Sequence, residues 1–265
     1  MLRRSPVTGE IIGYWDDKIV KEFYKGNPDD YDFIFFFAAF NVPTVSRPEF
    51  PQEHIGAYYR PVSNSINGIG LPIYDISGVY GSSGRLKGFG FMGTLYYISH
   101  PLPTKPGSPP EDYSKIDVGG VTWHEIVHQW CCYVGDLFRR GKDNAKLEIT
   151  DGEGHFYIGL ESPTQTPADC CGTQWTSNGD GTFRIVPSTN GQEVRYHPIV
   201  LYLMGVLLES DYDKRYNVYD AGIPREESVL SGKAVFYKDV SVGDIITGIG
   251  KREDTNLKEN TKKPK

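Results

Sequence analysis

The apolar positions of this chain fall into compact runs in its first third and into a helical stripe near its middle. The densest run, YDFIFFFAAF (31–40), is aromatic and short, which predicts a buried strand rather than a helix. The stretch 56–99 mixes short strand-like pieces with many glycines, and its last piece, FMGTLYYI (91–98), reads as another strand. The first third thus reads as strands and turns. Residues 100–114, HPLPTKPGSPPEDYS, form a proline-rich surface loop.

The first helical pattern covers roughly 117–139. Its apolar residues Trp123, Val127, Trp130, Val134 and Leu137 are spaced by four, three, four and three, which makes one stripe, and Gly141 is a plausible stop. Residues 141–191 look irregular, apart from a hairpin around the glycine turn of TQWTSNGDGTFRIV (173–186). Asn178 and Asp180 in that turn lack the rest of a calcium-loop ligand pattern, so turn chemistry explains them. A second helix is predicted at 197–209 with Pro198 in its first turn. Residues 240–250 read as a strand leading into a short third helix, and the lysine-rich tail from Lys251 as a solvated, flexible end. No repeat or linker divides the chain, which predicts one domain over 1–250: a sheet part about 10–116, the helix about 117–139, and a lower part about 140–250.

Composition narrows the partners. A formal charge of −6 argues against a general nucleic-acid binder. No apolar run approaches the ~20 residues of a membrane span. The opening MLRRSPVTGE has two arginines but no apolar core segment, so it is not a signal peptide as it stands. The cysteines form two adjacent pairs, Cys131–Cys132 and Cys170–Cys171. A disulfide would join one pair to the other and would fit an oxidising compartment or a hyperthermophile cytosol; the competing reading is four buried thiols. The pairs lack the CxxC spacing of a zinc knuckle.

The stretch VTWHEIVHQWCC (121–132) carries the candidate chemistry. His124 and His128 stand one helical turn apart, so both imidazoles can reach one tetrahedral ion. Glu125 points about 100° around the helix, where it can take a proton from a water held by that ion. A bland competitor exists: Thr122 and Glu125 match a capping box, under which Glu125 only closes the helix start. Two histidines on a mostly apolar helix favour the metal.

A catalytic zinc needs a third protein ligand and an open position. The continuation HExxHxxGxxH fails, because Cys131 and Val134 occupy its glycine and third histidine. The richest downstream stretch, DGEGHFYIGLES (151–162), offers Asp151, Glu153, His155 and Glu161. His155 is favoured, since neutral imidazole is a good zinc donor and the preceding glycine allows close approach; Glu153 and Glu161 are the carboxylate alternatives, and Cys131 would suit a structural site. His54, His100 and His197 have no partner at ligand spacing, with His197 held in reserve because it opens the second helix. Tyr157 and Tyr196 are candidate donors to the oxyanion of a tetrahedral intermediate.

HExxH is the zincin signature, and an ordered set of further segments resembles a group of microbial zincins: YDFIFFF (31–37), YYRPV…GIGLP (58–72), GSSGRLKGF (81–89), HExxHxW (124–130), GHF (154–156), NGDGTF (178–183) and YLMG (202–205). The resemblance spans about 31–250. It implies an α+β fold with a twisted mixed sheet packed on the HExxH helix and a mostly irregular or helical C-terminal half, a single catalytic Zn2+, His155 as third ligand, and hydrolysis of a peptide or protein substrate. Zincin substrates commonly lie along an edge strand, expected here at FMGTLYYI. YLMG resembles a methionine turn with Met204 beneath the metal, although core packing explains Met204 equally well. Val200 departs from the pattern, which has an acidic residue there. Two other functions fit the same residues: a non-catalytic protein with structural zinc, and a zinc hydrolase of a non-peptide amide or ester.

Overall fold

The computed structural model describes residues 2–4, 11–14, 16–38, 58–94, 118–131, 133–134, 156–161, 171–186, 195–211, 214–220 and 234–255. Over these residues the chain is mixed α+β, with small sheets and few helices. It divides into two compact units, one formed by 1–64 and 74–129, the other by 65–73 and 130–265.

The first unit opens with an antiparallel pair, Leu2–Arg4 (β1) and Ile11–Tyr14 (β2). A helix, Asp16–Gly26 (α1), follows where only strands and turns are expected from the sequence. Its signal is present in retrospect: Ile19, Val20, Phe23 and Tyr24 are paired at i, i+4 on one face. Next come Phe33–Ala38 (β3), Tyr58–Pro61 (β4), Ser63–Asn64 (β5), Ile66–Asn67 (β6, part of the second unit), Tyr74–Asp75 (β7) and Gly88–Thr94 (β8). β3 is the strand expected at 31–40, but only one face of it is closed: Ile34 and Ala38 are buried while Phe37 is exposed.

The three-stranded sheet has the order β3-β8-β4, with β3 parallel and β4 antiparallel to β8. Of the edge strand expected at 91–98, residues 91–94 form the end of β8, and 95–98 lie outside the described residues. β8 is central, and its residues 88–91 pair on one side with Phe33–Phe36 and on the other with Tyr58–Pro61. The register sorts side chains onto two faces. Ile34, Phe36, Tyr58 and Phe89 line one face and pack with Val20, Phe23 and Tyr24 of α1, Val62, Tyr80 and Leu86 in the unit's core. The other face carries Gly88 and Gly90. A Cβ at Gly88 would overlap the Tyr59 hydroxyl, and one at Gly90 would overlap the Phe35 ring. Two aromatic side chains therefore lie flat across a strand that has no side chains to lift them.

In the second unit Phe156–Glu161 (β9), Cys171–Thr173 (β10), Tyr216–Asp220 (β13) and Val235–Val240 (β14) form a sheet in the order β10-β9-β13-β14. Trp175–Ser177 (β11) and Phe183–Ile185 (β12) form the expected hairpin. Its turn is closed by Asp180, whose carboxylate accepts from the Thr182 N–H at 2.9 Å, with Gly179 and Gly181 at positive φ. The second predicted helix is shorter than its pattern: Pro198–Met204 (α3) stops at Gly205, which adopts the left-handed conformation (φ 82°). Of the strand-then-helix reading of 240–250 the helix holds, Val242–Ile249 (α4), capped by a Ser241–Asp244 capping box, while the strand lies upstream in β14 and includes only Val240 of that span.

The expected solvated tail needs correction at its start. Glu253–Asp254 (β15) pairs with β6, and the Arg252 side chain donates to the carbonyls of Leu203 and Met204 at 2.9 and 3.3 Å, closing the end of α3. Residues 256–265 lie outside the described residues.

His197 is fully buried at the N-cap of α3. The Ile199 N–H can only donate, so Nδ1, 3.1 Å away, is the bare nitrogen; Nε2 then carries the hydrogen and donates to the Glu161 carbonyl at 2.9 Å. Burial pushes this imidazole down to about 4 from its ordinary 6.5, against the opposing pull of the Glu161 carbonyl. The unfolded chain therefore binds a proton between these values that the folded chain refuses. Stability from this group is complete above pH 6.5 and is lost as pH falls toward 4, on the order of 3 kcal/mol in all. Urea melts across that range should show a shallower pH slope for His197→Asn than for the native chain. A second prediction concerns packing: Gly88→Ala should lower the melting midpoint by an overpacking cost of about 1–3 kcal/mol.

Candidate metal centre

The HExxH segment opens in Val118–Val127 (α2), which contacts β8 and β4. The helix ends at Val127, well short of the predicted 139. Past that point the backbone tightens: the His128 N–H donates to Glu125 O at 3.2 Å and the Gln129 N–H to Ile126 O at 3.1 Å, both i→i−3. The sequence there, IVHQWCCYV, is rich in β-branched and aromatic residues that form helices weakly. Residues 135–139, Leu137 included, lie outside the described residues.

The predicted apolar stripe holds only in part. Val127 and Val134 are buried, but Trp123 is 59% exposed. Polar residues are buried beside these valines: Glu125, His128 and Gln129 are 5%, 6% and 2% exposed. Thr122 sits inside α2, since the helix is already formed at Val118, so the capping-box reading of Thr122 and Glu125 fails.

The same three residues that the motif singles out come together. One ligand atom each from His124, Glu125 and His128 lies within 4.8 Å of the others. The two imidazole centroids are 5.1 Å apart with the rings at 81°, and Glu125 Oε1 stands 3.9 Å from His124 Nε2. A tetrahedral ion with bonds of about 2.0–2.1 Å sets its donors about 3.3 Å apart, so small side-chain rotations close this group on one ion. Two neutral imidazoles and a carboxylate suit a borderline divalent cation such as zinc. The carboxylate lies nearer the imidazoles than a 100° step along the helix predicts, because its three rotatable bonds let it swing back.

Of the remaining site residues, His155 and Glu153 lie outside the described residues, as do Cys132 and Cys170. Glu161 ends β9, and its carboxylate accepts from the Asn217 N–H at 3.3 Å. Tyr157 is in β9, and the half-buried Tyr196 directly precedes the His197 cap. Met204 is half-buried in the last residue of α3. Val200 is fully buried in α3, an apolar core position where the zincin group has an acid. Among the described residues no disulfide forms: Cys131 is a buried thiol, and only the backbone of Cys171 is described, in β10. No described helix is long and apolar enough to cross a membrane.

Gln129 is the residue that motif reasoning passed over. Its Oε1 accepts from the Tyr59 hydroxyl at 2.7 Å, and its Nε2 donates to Ser63 O at 2.8 Å. The visible signal was a primary amide directly after the second histidine, in a segment otherwise headed for the core.

No protein-family model, curated protein or solved structure matches this chain.

The cluster sets a test. Native protein saturated with zinc and dialysed should retain about one ion per chain, and His124→Ala or His128→Ala should each remove it, read by elemental analysis.

Proposed function

We propose that the protein is a zinc-dependent metallopeptidase of the zincin type, hydrolysing peptide bonds. The observation that carries this reading is the convergence of His124 and His128 with a buried Glu125 beside them. A bound zinc ion would supply Lewis acidity, polarising a carbonyl and bringing water toward a pKa of ~7.

The chain's own residues take the other tasks. His124 and His128 would hold the ion, with His155 as the proposed third ligand and Glu153 or Glu161 as alternatives. Glu125, kept from bulk solvent, accepts the proton of the attacking water at a carboxylate oxygen and passes it to the leaving amine. Tyr196 or Tyr157 donates to the developing oxyanion. The substrate lies extended along β4, the antiparallel edge of the first unit's sheet among the described residues; Tyr59 of that strand is bonded to Gln129, next to His128.

A second reading is favoured by one observation. Glu125 falls within ligand distance of both histidines, so it could ligate the ion of a non-catalytic module. Glu125→Gln separates the two. As a base, its loss leaves the ion bound and lowers peptide-library cleavage by about 10²–10⁴-fold. As a ligand, its loss lowers metal content instead. Cleavage confined to non-peptide amides or esters would reassign the substrate while keeping the site.

A further inference from the structure

We infer that Gln129 is a positioning residue that aims the His128 imidazole at the metal, an inference that rests on the metal-site reading above. An HExxH pair set within one helix takes its ring convergence from the i, i+4 geometry. Here α2 stops at Val127, and His128 sits in the tighter turn that follows, held at its N–H by Glu125 O at 3.2 Å. His128 therefore stands at the last turn of the helix, where the ladder constrains it less than it does His124.

The amide of the next residue supplies a further constraint. Gln129 is 2% exposed, and both ends of its amide are engaged by the sheet side of the same unit: Tyr59 donates to its oxygen at 2.7 Å, and its nitrogen donates to Ser63 O at 2.8 Å. These two bonds come from β4 and β5, which are consecutive strands. They also settle which end of the amide is oxygen, because the Ser63 carbonyl can only accept. Tyr59 can reach across because it crosses β8 where Gly88 has no side chain. The constraint thus runs from a glycine in the sheet, through a tyrosine and a buried amide, to the residue beside the second ligand. Groups bonded directly to a metal ligand change metal affinity by about 10–100-fold when removed, and Gln129, acting through the backbone one residue away, is set at the lower end of that range.

The test is zinc affinity of the full chain, measured by competition with a chelator, with the cobalt(II) visible spectrum as a readout of ligand geometry. Gln129→Met keeps the side-chain volume and removes both bonds; Tyr59→Phe keeps the ring and removes one. Val20→Ala, a core truncation away from the cluster, is the control for lost stability alone. We expect about a tenfold or greater loss of affinity and an altered cobalt spectrum for Gln129→Met, a smaller loss in the same direction for Tyr59→Phe, and native affinity for Val20→Ala despite its lower melting temperature. Tyr59→Phe carries the test if Gln129→Met does not fold. Native affinity in the Tyr59 and Gln129 variants, or an equal loss in the Val20 control, would overturn the positioning role and leave the metal site standing. A native chain that takes up no zinc would overturn both.

Discussion

Two imidazoles grip one ion only if the backbone between them holds both rings on the same side, and in this chain that requirement falls at a helix end. His124 lies within α2, and His128 lies just past it. The four-residue spacing is the one a helix needs, but half of the ordering comes from elsewhere. The backbone N–H groups of His128 and Gln129 make i→i−3 bonds, and the sheet holds Gln129 at two points. Motif spacing, sheet register and glycine placement thus converge on a single pair of rings 5.1 Å apart.

The cost of that arrangement is a buried polar face. Glu125, His128 and Gln129 occupy positions that apolar residues would fill in an ordinary amphipathic helix. Removing a carboxylate and an imidazole from water is unfavourable unless charge or hydrogen bonds compensate. A divalent ion between His124 and His128 would add such compensation at the cluster. The same logic explains His197 in the second unit without any metal: both ring nitrogens are bonded to backbone, and the residue stays neutral as a helix cap.

Much of this was legible in the sequence wherever local chemistry decides the outcome. The HExxH cluster, the hairpin at 173–186, Pro198 at a helix start and the short helix within 240–250 are all set by neighbours within a few residues. The failures arise where distant contacts decide. α1 was hidden by its charged residues, although its apolar pairs at i, i+4 reach the core beside Phe89. The place of Gly88–Phe91 at the centre of the sheet is not local information, because sheet order depends on β3 and β4, which come from well upstream. Trp123 shares the spacing of the buried Val127 and Val134 yet is exposed, while Glu125, His128 and Gln129 are buried. Two helices end before their apolar patterns do, at Val127 where weak helix formers follow and at Gly205 where a left-handed cap stops the chain. Gln129 gave almost no signal, since a lone glutamine becomes informative only once Tyr59 and Ser63 are seen around it.

The most direct test of the metal centre is X-ray absorption at the zinc edge of fully loaded protein in solution. The account predicts a first shell at about 2.0–2.1 Å that includes at least two imidazole nitrogens, with the outer-ring scattering of histidine. A first shell of sulfur alone, or of oxygen without histidine scattering, would contradict it.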